Sequence, residues 1–143
     1  MNFVKLQRVS SDALLPTKGT LGSAYYDLYT VDPYDLRPHG TCIISTGWKI
    51  EVPKGYFLDI RTRSGMAGRG ICVTNSPGTV DEDFRGELKV ILTNLNDRQV
   101  YWIKIGDRIA QCALMPVICS TFEEVKELSI TSRGTRGYGS TGR

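Results

Sequence analysis

The chain has 143 residues, of which 41% are apolar and 23% charged, with a net charge of +3. That balance excludes a disordered chain and is enough for one domain with its own core, while the charge is too small to announce a nucleic-acid binder. The longest apolar run, Ala113 to Cys119, is seven residues and contains Pro116; a membrane-spanning helix needs about 20, so no membrane partner is expected.

Short strand signals dominate. Trp48 to Val52 alternates apolar and polar residues and stops at the turn Pro53-Lys54-Gly55. Tyr56 to Arg61 resumes as a strand and runs into a basic, glycine-rich loop. Leu88 to Leu92 and Val100 to Ile105 read as further strands around the polar turn at 94–97, and Ile109 to Met115 as a buried strand ended by Pro116. Thr121 to Leu128 is the one helix candidate. Many short strands with Gly and Pro between them favour an all-β barrel or sandwich. Residues 1–128 form the expected β-domain, and 129–143 a flexible arm without the apolar residues that would offset its ordering entropy.

Cys42, Cys72, Cys112 and Cys119 form no CxxC pair, and His39 is the only histidine. They read as reduced core residues rather than a zinc site or a disulfide framework. Together with an N-terminus that has no apolar signal core, this predicts a cytoplasmic protein.

The charge is unevenly placed. Arg61 to Gly70 and Ser132 to Arg143 each carry three arginines and no acid, which points to a small polyanion as ligand. In Arg63-Ser64-Gly65 the arginine offers a fork of donors, the serine a hydroxyl and the glycine close backbone approach, all suited to phosphate. Gly106 to Gln111 reads either as a turn in which Asp107 and Arg108 pair or as a turn that aims the Gln111 amide at an anion. In Asn75 to Glu87 a Pro-Gly turn precedes the acids Asp81, Glu82 and Asp83. Such crowding asks for a proton or a cation nearby. The choice there lies between a solvated turn and a carboxylate that orients water beside a stacking ring. Asp27 is an isolated acid among tyrosines.

Together these segments resemble the trimeric dUTPase family, whose five ordered motifs find counterparts at 24–28, 63–67, 78–86, 106–111 and 133–142. The resemblance implies a β-clip or distorted jelly-roll-like barrel, homotrimeric with shared active sites, that hydrolyses dUTP to dUMP and pyrophosphate. It implies that Asp81 orients the water attacking the α-phosphorus. Asn75 and the backbone of Gly78 to Asp81, Val80 included, would read uracil. Phe84, where the family usually has tyrosine, would stack under the deoxyribose. Ser64 would contact the α–β phosphate bridge, Arg63 with Gln111 would hold the phosphate chain, and Gly65 would also bind substrate. Asp27 would reach the waters of a Mg2+ ion carried on the triphosphate. Arg133 would clasp the γ-phosphate, and Tyr138 would stack on the base as a lid, with Gly139 and Ser140 beside it on the substrate. Such an enzyme limits uracil in DNA and supplies dUMP for dTMP synthesis.

Tyr25 departs from the resemblance by standing where the first motif usually has glycine, which puts the backbone beside Asp27 in question. Two other readings compete. A dCTP deaminase shares the fold but uses a glutamate at the position that falls here on Ile91. A nucleotide-sensing module would signal its dUTP-bound state to a regulatory protein partner, for which 29–39 offers an unassigned surface.

Overall fold

The structure is a computed structural model and describes residues 3–137. Among these are ten strands and one helical turn: β1 (Lys5–Arg8), β2 (Tyr26–Tyr29), β3 (Tyr34–Leu36), β4 (Thr41–Glu51), β5 (Tyr56–Arg61), α1 (Ser64–Ala67), β6 (Ile71–Val73), β7 (Gly78–Val80), β8 (Glu87–Asn94), β9 (Tyr101–Ile103) and β10 (Arg108–Pro116). They form two four-stranded antiparallel sheets, ordered β1-β4-β8-β6 and β2-β10-β5-β7, and a two-stranded ribbon β3-β9.

Alternation sets the packing. In β8, Leu88, Val90, Leu92 and Asn94 are buried, and the residues between them are not. Leu58 and Ile60 of β5, Ile44 and Ile50 of β4, and Ile109 and Cys112 of β10 join them in one core cluster drawn from both large sheets. Each buried Val, Leu or Ile among them contributes roughly 1.5–3 kcal/mol by leaving water. The buried polar groups are paired. Asn94 donates to the carbonyls of Leu36 and Gln99 at 2.9 and 2.8 Å, and Thr46 donates to that of Leu88 at 2.7 Å. The register of β4 on β8 shifts between Ser45 and Lys49, where Gly47 takes φ 74°. A Cβ there would stand 2.8 Å from that of Ala13, so this bulge requires glycine.

The five strands read from the sequence are all present, with β9 shorter than expected and β4 longer. The helix expected at 121–128 is absent: β10 ends at Pro116, and residues 117–136 are exposed without strand or helix. Eight residues with no surface to pack against cannot offset the cost of nucleating a helix. Of the cysteines, Cys42 and Cys112 are buried and Cys72 is half-buried, but Cys119 lies on this exposed segment and is no core residue; all four are free thiols.

Candidate active site

One face of the sheet β2-β10-β5-β7 carries Asp27, Gln111 and Arg61 side by side, since Gln111 stands opposite Asp27 on one flank and Arg61 on the other. Beyond Arg61 the chain passes Arg63 and turns into α1, a helical turn that sequence reading had treated as loop. Met66 anchors the turn in the core. The amides of Met66 and Ala67 bond back to the Arg63 carbonyl at 3.0 Å, and the exposed Ser64 and Gly65 precede them. Asp27 accepts from Arg63 Nε at 2.7 Å through Oδ1 and from Arg108 Nη1 at 3.3 Å through Oδ2. The Asp107–Arg108 pair does not form. Asp107 instead accepts the Lys104 amide at 2.9 Å, which closes the turn and frees Arg108 for Asp27. Gln111 donates to the Thr62 carbonyl at 3.1 Å.

A pocket of about 410 Å³ opens beside this cluster, lined by Arg63, Gly65, Met66, Arg69, Tyr101, Trp102, Asp107 and Arg108. Sequence reading missed Arg69, Arg108 and Trp102 here. Arg108 stands inside the fourth motif, where one of the two open readings paired it with Asp107. Trp102, 63% exposed, was taken only as part of a strand.

A second pocket, of about 90 Å³, lies between β7 and β8 and brings together three of the expected base-reading residues, Asn75, Gly78 and Val80. The Asn75 carboxamide lies over Gly78, where a Cβ would come within 3.3 Å of it. Ile91 lines the same pocket, an apolar side chain where deamination would need a glutamate acid–base. The pocket continues past Thr79, Val80, Lys89 and Ile91 to a neighbouring hollow that holds Asp81 and Phe84. The turn between them is held by the Asp81 carbonyl accepting the Phe84 amide at 3.2 Å, and by Arg85 donating to the carbonyls of Glu82 and Phe84 at 2.6 and 2.8 Å. Arg85 binds these carbonyls and none of the three carboxylates, and the Glu82 carboxylate takes the Gly55 amide, so among the described residues the cation expected beside the acidic run is absent.

The two halves do not meet within one chain. Val80 stands opposite Leu58, so Asp81 runs away from the Arg63 end of β5; Leu58 to Arg63 alone spans about 17 Å at ~3.3 Å per residue. Among the described residues none lines both the arginine pocket and the Asn75 or Asp81 pockets. Arg133 is exposed on the C-terminal segment and, among the described residues, exchanges side-chain to backbone bonds with Arg136. Tyr138, Gly139 and Ser140 lie outside the described residues.

Tyr25 leaves the backbone unstrained: His39 is the only non-glycine residue with positive φ among those described. Its hydroxyl donates to Asp59 Oδ2 at 2.7 Å, and that bond, followed by burial, raises the phenol above its usual pKa.

As for a metal, no three His, Cys, Asp or Glu side chains among the described residues group closely enough to cage one. Asp27 has one arginine donor on each oxygen. A carboxylate has about four lone-pair sites, so it can still accept from the water shell of an ion that arrives on phosphates. The donor set fits that mode of binding.

The all-β body thus carries one arginine-lined pocket and one largely aliphatic pocket edged by the Asn75 carboxamide and Gly78. The dUTPase family profile matches residues 11–142. The chain is 48% identical over 139 residues to the deoxyuridine 5'-triphosphate nucleotidohydrolase of Hydrogenobaculum sp., with 96% of each chain covered. It is 43% identical over 140 residues to the enzyme of that name from Helicobacter pylori (strain P12), covering 97% of this chain and 96% of the other. The fold matches that of a dUTPase of Staphylococcus bacteriophage 80alpha solved with dUpNHpp, at TM-score 0.88 and 23% identity over the whole of both chains. It also matches the dUTPase from phage phi11 of S. aureus, described with a structural Mg(II) ion, at TM-score 0.80 and 22% identity over 90% of this chain and all of the other. The chain belongs to the dUTPase family, and its activity is the hydrolysis of dUTP.

Proposed function

We propose that the working site is built from two copies of the chain, in a homotrimer, with the Asn75–Phe84 half of one copy facing the Asp27–Arg63–Gln111 half of another. The observation that carries this is the separation of Asp81 from Arg63 along β5. A water oriented by Asp81 has to meet an α-phosphorus held by Ser64 and Arg63 at bonding distance, and a single chain keeps those groups far apart. The exposed segment after Pro116 gives independent support. Phe122 and Ile130 are fully exposed and Ile118 and Leu128 nearly so, which is costly for a lone chain and suits burial against another copy.

In this reading Asn75 and the Gly78–Val80 backbone hold uracil, Phe84 packs under the sugar, and Ser64, Gly65, Arg63 and Gln111 hold the phosphates. Asp81 accepts a hydrogen bond from the attacking water and aims it at the α-phosphorus. The P–O bond to the β-phosphate breaks as the new one forms, so that dUMP and pyrophosphate leave. Fixed guanidinium and amide donors match the charge that develops on the phosphate oxygens, and such preorganisation is the main work in phosphoryl transfer. Mg2+, when bound on the phosphates with Asp27 accepting from its waters, supplies charge neutralisation. Arg133 and the Tyr138–Ser140 stretch close the site and exclude bulk water. Reduced cysteines favour the cytosol as the compartment.

Hydrolysis in 18O-labelled water tests the point of attack. The label is expected in dUMP; label in pyrophosphate places the attack on the β-phosphorus and removes Asp81 from the assigned role.

A further inference from the structure

Tyr25, Asp59 and Arg61 form a connected group that the mechanism above leaves unused. Asp59 is 3% exposed, although it lies on the outer face of its sheet. A carboxylate out of water needs charged or hydrogen-bonded partners, and it has two. Arg61 Nε and the Tyr25 hydroxyl each donate to Oδ2 at 2.7 Å. Ala113 stands opposite Asp59 on β10, and continuing the β2–β10 register one step past Cys112–Tyr26 sets it beside Tyr25. A methyl group at that position lets the phenol reach across the strand.

The Tyr25 ring also lies 5.5 Å from the Arg61 guanidinium carbon. Arg61 is therefore held at Nε and against an aromatic face, while its side chain stays 51% exposed. Among the described residues no side chain takes its two Nη groups, and its strand neighbour is Gln111, with Asp27 next in the row. A guanidinium fixed through Nε with free Nη donors is preset for phosphate oxygens.

Resting on the reading of Arg63 and Gln111 as phosphate contacts, we propose that Arg61 is a further phosphate-binding residue, set in place by Asp59 and Tyr25. Asp59 and Tyr25 are positioning residues, and the ligand is the phosphate chain of the nucleotide.

The test uses inorganic tripolyphosphate as probe, titrated calorimetrically into the full-length protein, so that no turnover is needed. Wild-type protein that fails to bind it refutes the underlying phosphate reading. With wild-type binding established, Arg61→Gln is expected to weaken it about tenfold, the scale of one lost charge-assisted contact. Unchanged affinity overturns the proposal. Since Arg61→Gln strands the buried Asp59 and threatens folding, the double variant Asp59→Asn/Arg61→Gln is measured beside it. The double variant is expected to restore the melting temperature but not the affinity. Recovery of affinity along with stability makes Arg61 a mere counter-ion of Asp59 and contradicts the assignment. Tyr25→Phe, which keeps the ring and removes the donor, is expected to raise the KM for dUTP several-fold with kcat nearly unchanged; an unchanged KM removes Tyr25 from the positioning role.

Discussion

Arg63 donates through Nε to Asp27 at 2.7 Å, and both side chains are largely buried, at 23% and 14% exposure. Arg108 approaches the other carboxylate oxygen at 3.3 Å. Two cations from different motifs thus converge on one anion, so Asp27 organises the proposed phosphate half of the site as well as bordering it. Asp27→Asn keeps the shape and removes the charge. It is expected to lower stability by about 1.5–3 kcal/mol, the range for hydrogen bonds to charged groups. Tripolyphosphate should then raise the melting temperature of the variant more than that of the wild type, since an added anion replaces the missing one. Equal shifts in both proteins would mean that the arginines do not depend on Asp27.

Phe84 owes its place to Gly86. A Cβ on Gly86 would stand 2.5 Å from Phe84 Cζ and 2.8 Å from Cε2. Those atoms are the far end of a side chain that is 41% exposed, so Gly86→Ala should push the ring aside without unfolding the sheet. The expected result is a near-native melting temperature with a reduced preference for dUTP over UTP, read from the ratio of the two kcat/KM values. An unchanged ratio would separate Phe84 from sugar discrimination.

Burial pushes the Cys112 thiol up to about 12 and raises that of Cys42 as well. The folded state holds these protons while the unfolded chain releases them near pH 8.5–9. A raised folded pKa means that this contribution is complete below the unfolded value and is lost as pH climbs toward the folded one. The melting temperature is therefore expected to fall from about pH 9 upward, and less steeply in Cys112→Ala. Identical slopes would assign the alkaline loss to other groups.

Removing 132–143 deletes Arg133 and the glycine-rich end but leaves every strand intact. Turnover is expected to drop steeply while the oligomer and its melting temperature persist, checked by light scattering and a thermal scan. A truncated protein of full activity would remove the arm from the site.

The strands legible in the sequence were those with strict alternation or apolar runs, such as Trp48–Val52 and Tyr56–Arg61. The short edge strands β1, β2, β3, β6 and β7 were not, since three or four residues carry too little periodicity to register. The false helix at 121–128 shows the reverse error: local propensity in Phe122 to Leu128 had no packing partner to act on. In the site, residue types and spacing pointed to a phosphate ligand at Arg63-Ser64-Gly65, and the family resemblance assigned the roles. What no spacing revealed was the geometry across strands. Arg108 turns from Asp107 to Asp27, Tyr25 crosses Ala113 to reach Asp59, and Asp81 follows the end of β7 that runs away from Arg63. Those relations arise from sheet register between segments distant in sequence.

The composite site is tested most directly by complementation. Asp81→Asn, which should fold normally and lose turnover, and Arg63→Ala, which removes a phosphate contact from the other half, are purified separately, mixed, and refolded together. Hydrolysis of dUTP that appears in the mixture, and in neither variant alone, is the expected result, because some interfaces then join two intact halves. A mixture as inactive as its components would place both halves of the site on one chain and contradict the account.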